Sequence, residues 1–143
     1  MKFMIYGHPQ GYYAQAARSK YRMSKDQKAR ALRYRGWQEI VRFCAMQNGI
    51  ALPLIATKAR MLIINTFAYF ENGVHADPEN VRKGIVDALF LDRTPGGTSD
   101  KYVGGFHAPP IYDAHNPRVA CMIYSKEAFD QMGSDATRDL TLK

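Results

Sequence analysis

The hydrophobic period changes several times along the chain, and each change predicts an element. Residues 2–6 form a short apolar run that predicts a first strand, ended by Gly7, Pro9 and Gly11. Residues 12–23 are polar, basic and aromatic without a clear period, which predicts a loop. Ser24 with Gln27 three residues on makes a capping box, and the helix it opens runs to about residue 48, where Gly49 supplies a stop. Trp37, Ile40, Val41, Cys44 and Ala45 recur at helical spacing, so its second half has a core face. In the first half Arg30 and Arg33 fall on the same stripe. The stripe is therefore expected to leave the core there, with both arginines facing DNA or a partner subunit.

Residues 59–70 are rich in β-branched and aromatic side chains and apolar on both faces, the pattern of a central strand. Asn72-Gly73 marks a turn. Asp77 is a natural N-cap and Pro78 a natural first residue for a helix running to about residue 90. On a 3.6-residue wheel Val81, Ile85, Ala88 and Leu89 share one face, and Asn80, Lys83 and Asp87 share the opposite one. A glycine-containing loop over 92–99 delivers Asp100 to a strand near 102–106. Residues 109–117 are rich in turns, 118–124 make a last strand, and a short helix over 127–132 precedes a polar tail.

The 143 residues fit one domain with a real core, residues 1–143. No apolar run approaches the roughly 20 residues that span a bilayer, and the N-terminal apolar stretch is too short for a signal peptide. A soluble cytoplasmic protein without membrane association is expected. Cys44 and Cys121 lie among apolar neighbours with no CxxC pairing, which reads as two reduced core thiols rather than a disulfide or a zinc site.

Net charge changes the picture. It is +7, from 20 Lys and Arg against 13 Asp and Glu, and the cations bunch early. Arg18, Lys20, Arg22, Lys25, Lys28, Arg30, Arg33, Arg35 and Arg42 are opposed by only Asp26 and Glu39, with Tyr12, Tyr13, Tyr21 and Tyr34 interleaved. Such a strip neutralises phosphates and offers rings for exposed bases, the footprint of a nucleic-acid binder; the plainer alternative is a solvated helix face. Against this positive background, Asp77, Glu79, Asn80, Lys83 and Asp87 gather on one short helix with Asp100 downstream. Carboxylates in a chain that attracts polyanions are what a Mg²⁺-dependent enzyme acting on nucleic acid needs. Taken alone, Asp-Pro-Glu is equally a good way to begin a helix.

The whole pattern is more specific. Asp77-x-Glu79-Asn80-x-x-Lys83-x-x-x-Asp87-Ala88-Leu89, followed after a loop by Asp100-Lys101-Tyr102-Val103, resembles the RusA-like family of Holliday-junction resolvases. The resemblance implies an α+β fold, a mixed sheet flanked by helices, and a homodimeric, Mg²⁺-dependent endonuclease that nicks four-way and other branched DNA. It implies Asp77 and Asp100 as metal ligands, with Glu79 in the place of a second motif aspartate and one methylene longer. Asn80 would orient a carboxylate or contact phosphate, Lys83 would be the essential lysine, and Asp87 would be an acidic neighbour of the site. The loop before Asp100 is longer than the family leads one to expect and holds Asp92 as a rival third ligand.

The chemistry follows from the residue types. Hard oxygen ligands select Mg²⁺, with Mn²⁺ as substitute, and leave positions open for water and a phosphate oxygen. Lys83, six residues after Asp77, would stabilise charge developing on the scissile phosphate. Gly96-Gly97 and Gly104-Gly105 lack the Lys-Ser/Thr of a phosphate loop, so no nucleotide cofactor is expected. His75 lies two residues before Asp77, whereas His8, His107 and His115 show no ligand spacing. Two alternatives remain: a non-catalytic basic DNA-binding protein whose acidic residues are caps, and a less structure-selective Mg²⁺-dependent nuclease.

Overall fold

A nine-residue strand, β2 (Leu62–Phe70), runs through the middle of the molecule with eight of its residues buried. The structure is a computed structural model and describes residues 1–13, 23–91 and 100–132. Around β2 are β1 (Lys2–Tyr6), α1 (Lys25–Gln47), α2 (Pro78–Leu89), a 3-10 turn (Asp100–Tyr102), β3 (Val103–Gly104), β4 (Ile111–Tyr112), β5 (Arg118–Ser125) and α3 (Lys126–Met132). The fold is α+β. The sheet order is β1-β5-β2-β3, with β4 also on β2; β1/β5 and β5/β2 are antiparallel, and β3 and β4 are parallel to β2.

β2 begins at Leu62 rather than residue 59 because Thr57 and Arg60 close a reciprocal backbone turn just before it. Its apolar character on both faces reflects two cores. On one face Ile64, Ala68 and Phe70 join Phe3, Ile5, Val119, Cys121 and Ile123 beneath α1 and α2. On the other, Phe67 and Tyr69 pack with Ala108, Ala120 and Met122. The strand expected over 102–106 is regular only at Val103–Gly104, and pairing with β2 resumes past Gly105, where Thr66 N donates to Phe106 O and Ala108 N to Thr66 O. Gly105 at φ 120° turns the chain, and the Asn65 side chain rather than the β2 backbone takes the Phe106 N–H at 3.0 Å. Only glycine fits there, since a Cβ would lie 2.1 Å from the Ile64 oxygen.

Both main helices form for local reasons legible in the sequence. The Ser24 hydroxyl accepts from Gln27 N and the Gln27 side chain from Ser24 N, a reciprocal capping box. Gly49 at φ 78° ends α1, donating to Met46 O while Ile50 donates to Ala45 O, the two bonds of a Schellman closure. The core stripe of α1 departs from expectation. It does not leave the core in the first half but continues through Tyr34 and Ala31, while Ile40 is exposed. Tyr34 stays buried because α2 offers Gly84 at the crossing, where a Cβ would stand 3.1 Å from the Tyr34 ring. Arg30 and Arg33 are exposed beside that stripe. On α2 the expected face is buried: Val81, Ile85, Ala88 and Leu89 have essentially no exposure, each large side chain contributing about 1.5–3 kcal/mol.

Candidate nucleic-acid and metal site

The first turn of α2 is held from three sides. Asp77 caps it, one carboxylate oxygen accepting from Glu79 N at 2.8 Å. Tyr12 N donates to Asn80 O at 2.9 Å, and Gly11 approaches so closely that a Cβ would stand 3.0 Å from that of Ala76. His75 stacks on Phe70 at 3.8 Å between ring centres, with Nδ1 2.7 Å from Ala76 O and Nε2 3.0 Å from the Tyr112 hydroxyl. A carbonyl only accepts, so Nδ1 carries the proton, and in the neutral ring Nε2 accepts from Tyr112. His75 is thus a bracket for the chain entering Asp77.

Further along, α2 is tied to both neighbours through its polar residues. From α1, Gln38 Nε2 donates to Gly84 O at 3.3 Å and Arg42 Nε to Ala88 O at 3.0 Å. Arg82 reaches the other way: Nε donates to Ile64 O at 3.0 Å and Nη2 to Gly104 O at 2.9 Å, so one guanidinium joins α2, β2 and β3. Burial lowers its pKa from the ordinary arginine value. The same burial holds the Cys121 thiol up at about 12 despite the nearby Arg82 charge. Arg82 fixes where β3 lies against α2, and with it the turn that Asp100 opens.

The sequence-predicted residues divide between two clefts that share Asn80. One, of about 310 Å³, brings Asp77 and Asn80 opposite Arg30 and Arg33, with Tyr12, Tyr13 and Tyr34 in its walls. The other, of about 400 Å³, is lined by Glu79, Asn80, Lys83, Asp87, Arg82 and Val103. Lys83 extends Nζ over the Tyr12 ring, 4.1 Å from its centre, and Arg30 lies 4.7 Å from the centre of Tyr13. Lys25 and Lys28 are exposed at the start of α1 and line neither cleft. Arg18, Lys20, Arg22 and Asp92 lie outside the described residues, as does the side chain of Asp100, whose backbone begins the 3-10 turn three residues before Val103.

Among the described residues no three His, Cys, Asp or Glu side chains converge on one point. At the start of α2 the acidic donors are Asp77 and Glu79, exposed and two residues apart, with Asp87 further along the helix in the Glu79 cleft. Their chemistry suits a hard divalent cation, because every candidate donor is oxygen and Asp77 spends one oxygen on its helix cap, leaving the other for a ligand. Gln10, Gly11 and Arg82 were not signalled by the motif. Arg82 had a weak signal in the sequence, a charge three and four residues before the apolar Ile85 and Val86.

No helix among the described residues is long and apolar enough to cross a membrane. Compared with protein-family models and with curated proteins, the chain finds no match.

Proposed function

We propose that this chain is a Mg²⁺-dependent endodeoxyribonuclease selective for branched DNA, of the Holliday-junction type, acting as a homodimer in the cytoplasm. The observation that carries the reading is the exposed start of α2, where Asp77 and Asn80 share one cleft with Arg30 and Arg33 of α1 and Glu79, Asn80 and Lys83 line the adjoining one. Asp77 and Glu79, with Asp100 from the turn before β3, would hold the ion. Once bound, it would supply acidification of water and neutralisation of the phosphate. Arg30 and Arg33 draw in the DNA backbone, Asn80 orients groups in both clefts, and Lys83 swings from the Tyr12 ring to the phosphate as charge develops there.

Two symmetric nicks need two sites related by a two-fold axis. The outer face of α1 supports a second copy there: Leu32, Ile40, Phe43 and Met46 are exposed along it, and the space where a Cβ of Gly36 would stand is open. One feature favours the alternative of a non-catalytic DNA-binding protein, namely that Asp77 is already engaged as a helix cap. Cleavage of a four-way junction, a flap and a linear duplex with and without Mg²⁺ separates the readings. The enzyme nicks the junction first and only with metal, the less selective nuclease cuts all three, and the binder cuts none while its affinity falls with salt.

A further inference from the structure

The cleft that holds Asp77 is built from more than charge. Tyr12 meets Tyr34 edge to face, 6.0 Å between centres, and Tyr13 stands beside the Arg30 guanidinium. Gln10 and Asn80 bring amides to the same walls. Gly11 is what allows this, because its close approach to Ala76 seats the segment carrying both tyrosines on the first turn of α2. Ring faces, amides and guanidinium groups around about 310 Å³ match a base, its hydrogen-bonding edge and its phosphate. The space is about the size of one nucleotide.

We propose that this cleft receives one unstacked nucleotide of single-stranded or branched DNA, its base against Tyr13 and its phosphate at Arg30 and Arg33. The site deepens the nuclease reading and rests on it for its DNA substrate, because it explains selectivity: a base in continuous duplex has both faces stacked and its edge paired, whereas a base at an open branch point has lost a stacking neighbour and leaves the helix at lower cost. The nucleotide then lies beside Asp77, which borders the same cleft.

The test needs no cleavage. Fluorescence anisotropy compares a labelled single-stranded hexathymidylate with a fully abasic hexamer of the same charge, without divalent metal. Wild type binds the thymidylate roughly 5- to 100-fold more tightly, the worth of about one base–aromatic stack. Tyr13→Ala removes that difference and Tyr13→Phe keeps it. Equal affinity for the two hexamers, or a difference that survives Tyr13→Ala, overturns the proposal. If Tyr13→Ala fails to fold, photocrosslinking of an iodouracil-substituted hexamer to wild type decides: adducts on Tyr12, Tyr13 or Tyr34 support the cleft, and adducts confined to other residues overturn it. Junction nicking in Mg²⁺ is assayed separately. Nicking with no base preference sinks the nucleotide site alone, and a Tyr13-dependent base preference without nicking sinks the nuclease reading alone.

Discussion

Arg82→Met isolates the link between α2 and the strand that follows Asp100. Methionine keeps most of the buried stem but removes two charge-assisted hydrogen bonds, 3.0 Å to Ile64 O and 2.9 Å to Gly104 O. Bonds of this kind contribute about 1.5–3 kcal/mol each, so about 3–6 kcal/mol is at stake before any offset. The offset is the desolvation that lowers the Arg82 pKa, a cost that disappears with the charge. A net loss of about 2–3 kcal/mol is expected, lowering Tm by about 6–12 °C in a chain of this length. Urea unfolding reads it as a lower midpoint with unchanged slope. Arg82→Lys keeps the charge but not the fork, reaches one carbonyl, and falls between the two. On the proposed nuclease reading, junction nicking by the variant should need more Mg²⁺, because β3 and the turn before it lose their anchor to the helix that carries Asp77 and Glu79. A Met variant within about 0.5 kcal/mol of wild type, or a Lys variant equal to wild type, would refute the idea that this guanidinium positions the site.

Gly105→Ala should destabilise by more than about 3 kcal/mol, since it meets the Ile64 carbonyl at 2.1 Å with φ at 120°, whereas Gly104→Ala meets only the end of Ile63 at 3.1 Å and should cost under about 1 kcal/mol; thermal unfolding of both separates backbone clash from side-chain adjustment. Cys121, fully buried and held near 12, should resist a thiol reagent at neutral pH, so native protein reacts at no more than one of its two cysteines and denatured protein at both. The Asp113 carboxyl lies below its ordinary value of 3.8, chiefly through its hydrogen bond to Arg118. A depressed folded pKa gives stability that is present above the unfolded value and lost as pH falls through the folded one, so Asp113→Asn should lower the urea midpoint at neutral pH and converge with wild type below about pH 4, flattening the acid limb. Charge reversal at Arg30 and Arg33 should weaken junction binding and reduce its salt slope by about 2, and a slope equal to wild type would remove both from the DNA surface.

The elements were legible where local rules and burial agree. Ser24 with Gln27, Gly49, and Asp77 with Pro78 mark helix ends that the backbone obeys, and the apolar face of α2 is the face that is buried. Legibility failed where a partner from a distant part of the chain decides the outcome. Tyr34 is core because Gly84 lies across from it, and Ile40 is exposed because none of the described elements covers that side of α1. The strand after Asp100 is interrupted at Gly105, where Asn65, a polar side chain, accepts from Phe106 N while its own Nδ2 finds no partner among the described residues. In the candidate site the motif pointed to Asp77, Asn80 and Lys83, but not to the close approach of Gly11 or the fork of Arg82. Both depend on chain segments that meet only in the fold.

The most direct test of the central claim is the initial rate of four-way junction nicking by wild type and by Asp77→Asn, in Mg²⁺, with junction affinity measured in parallel. Asparagine still caps α2, so the fold is retained while the ligand charge is lost. The account predicts metal-dependent paired nicks by wild type, loss of cleavage in the variant and unchanged or tighter binding. Cleavage by Asp77→Asn at the wild-type rate, or no nicking by wild type at any Mg²⁺ concentration, would contradict it.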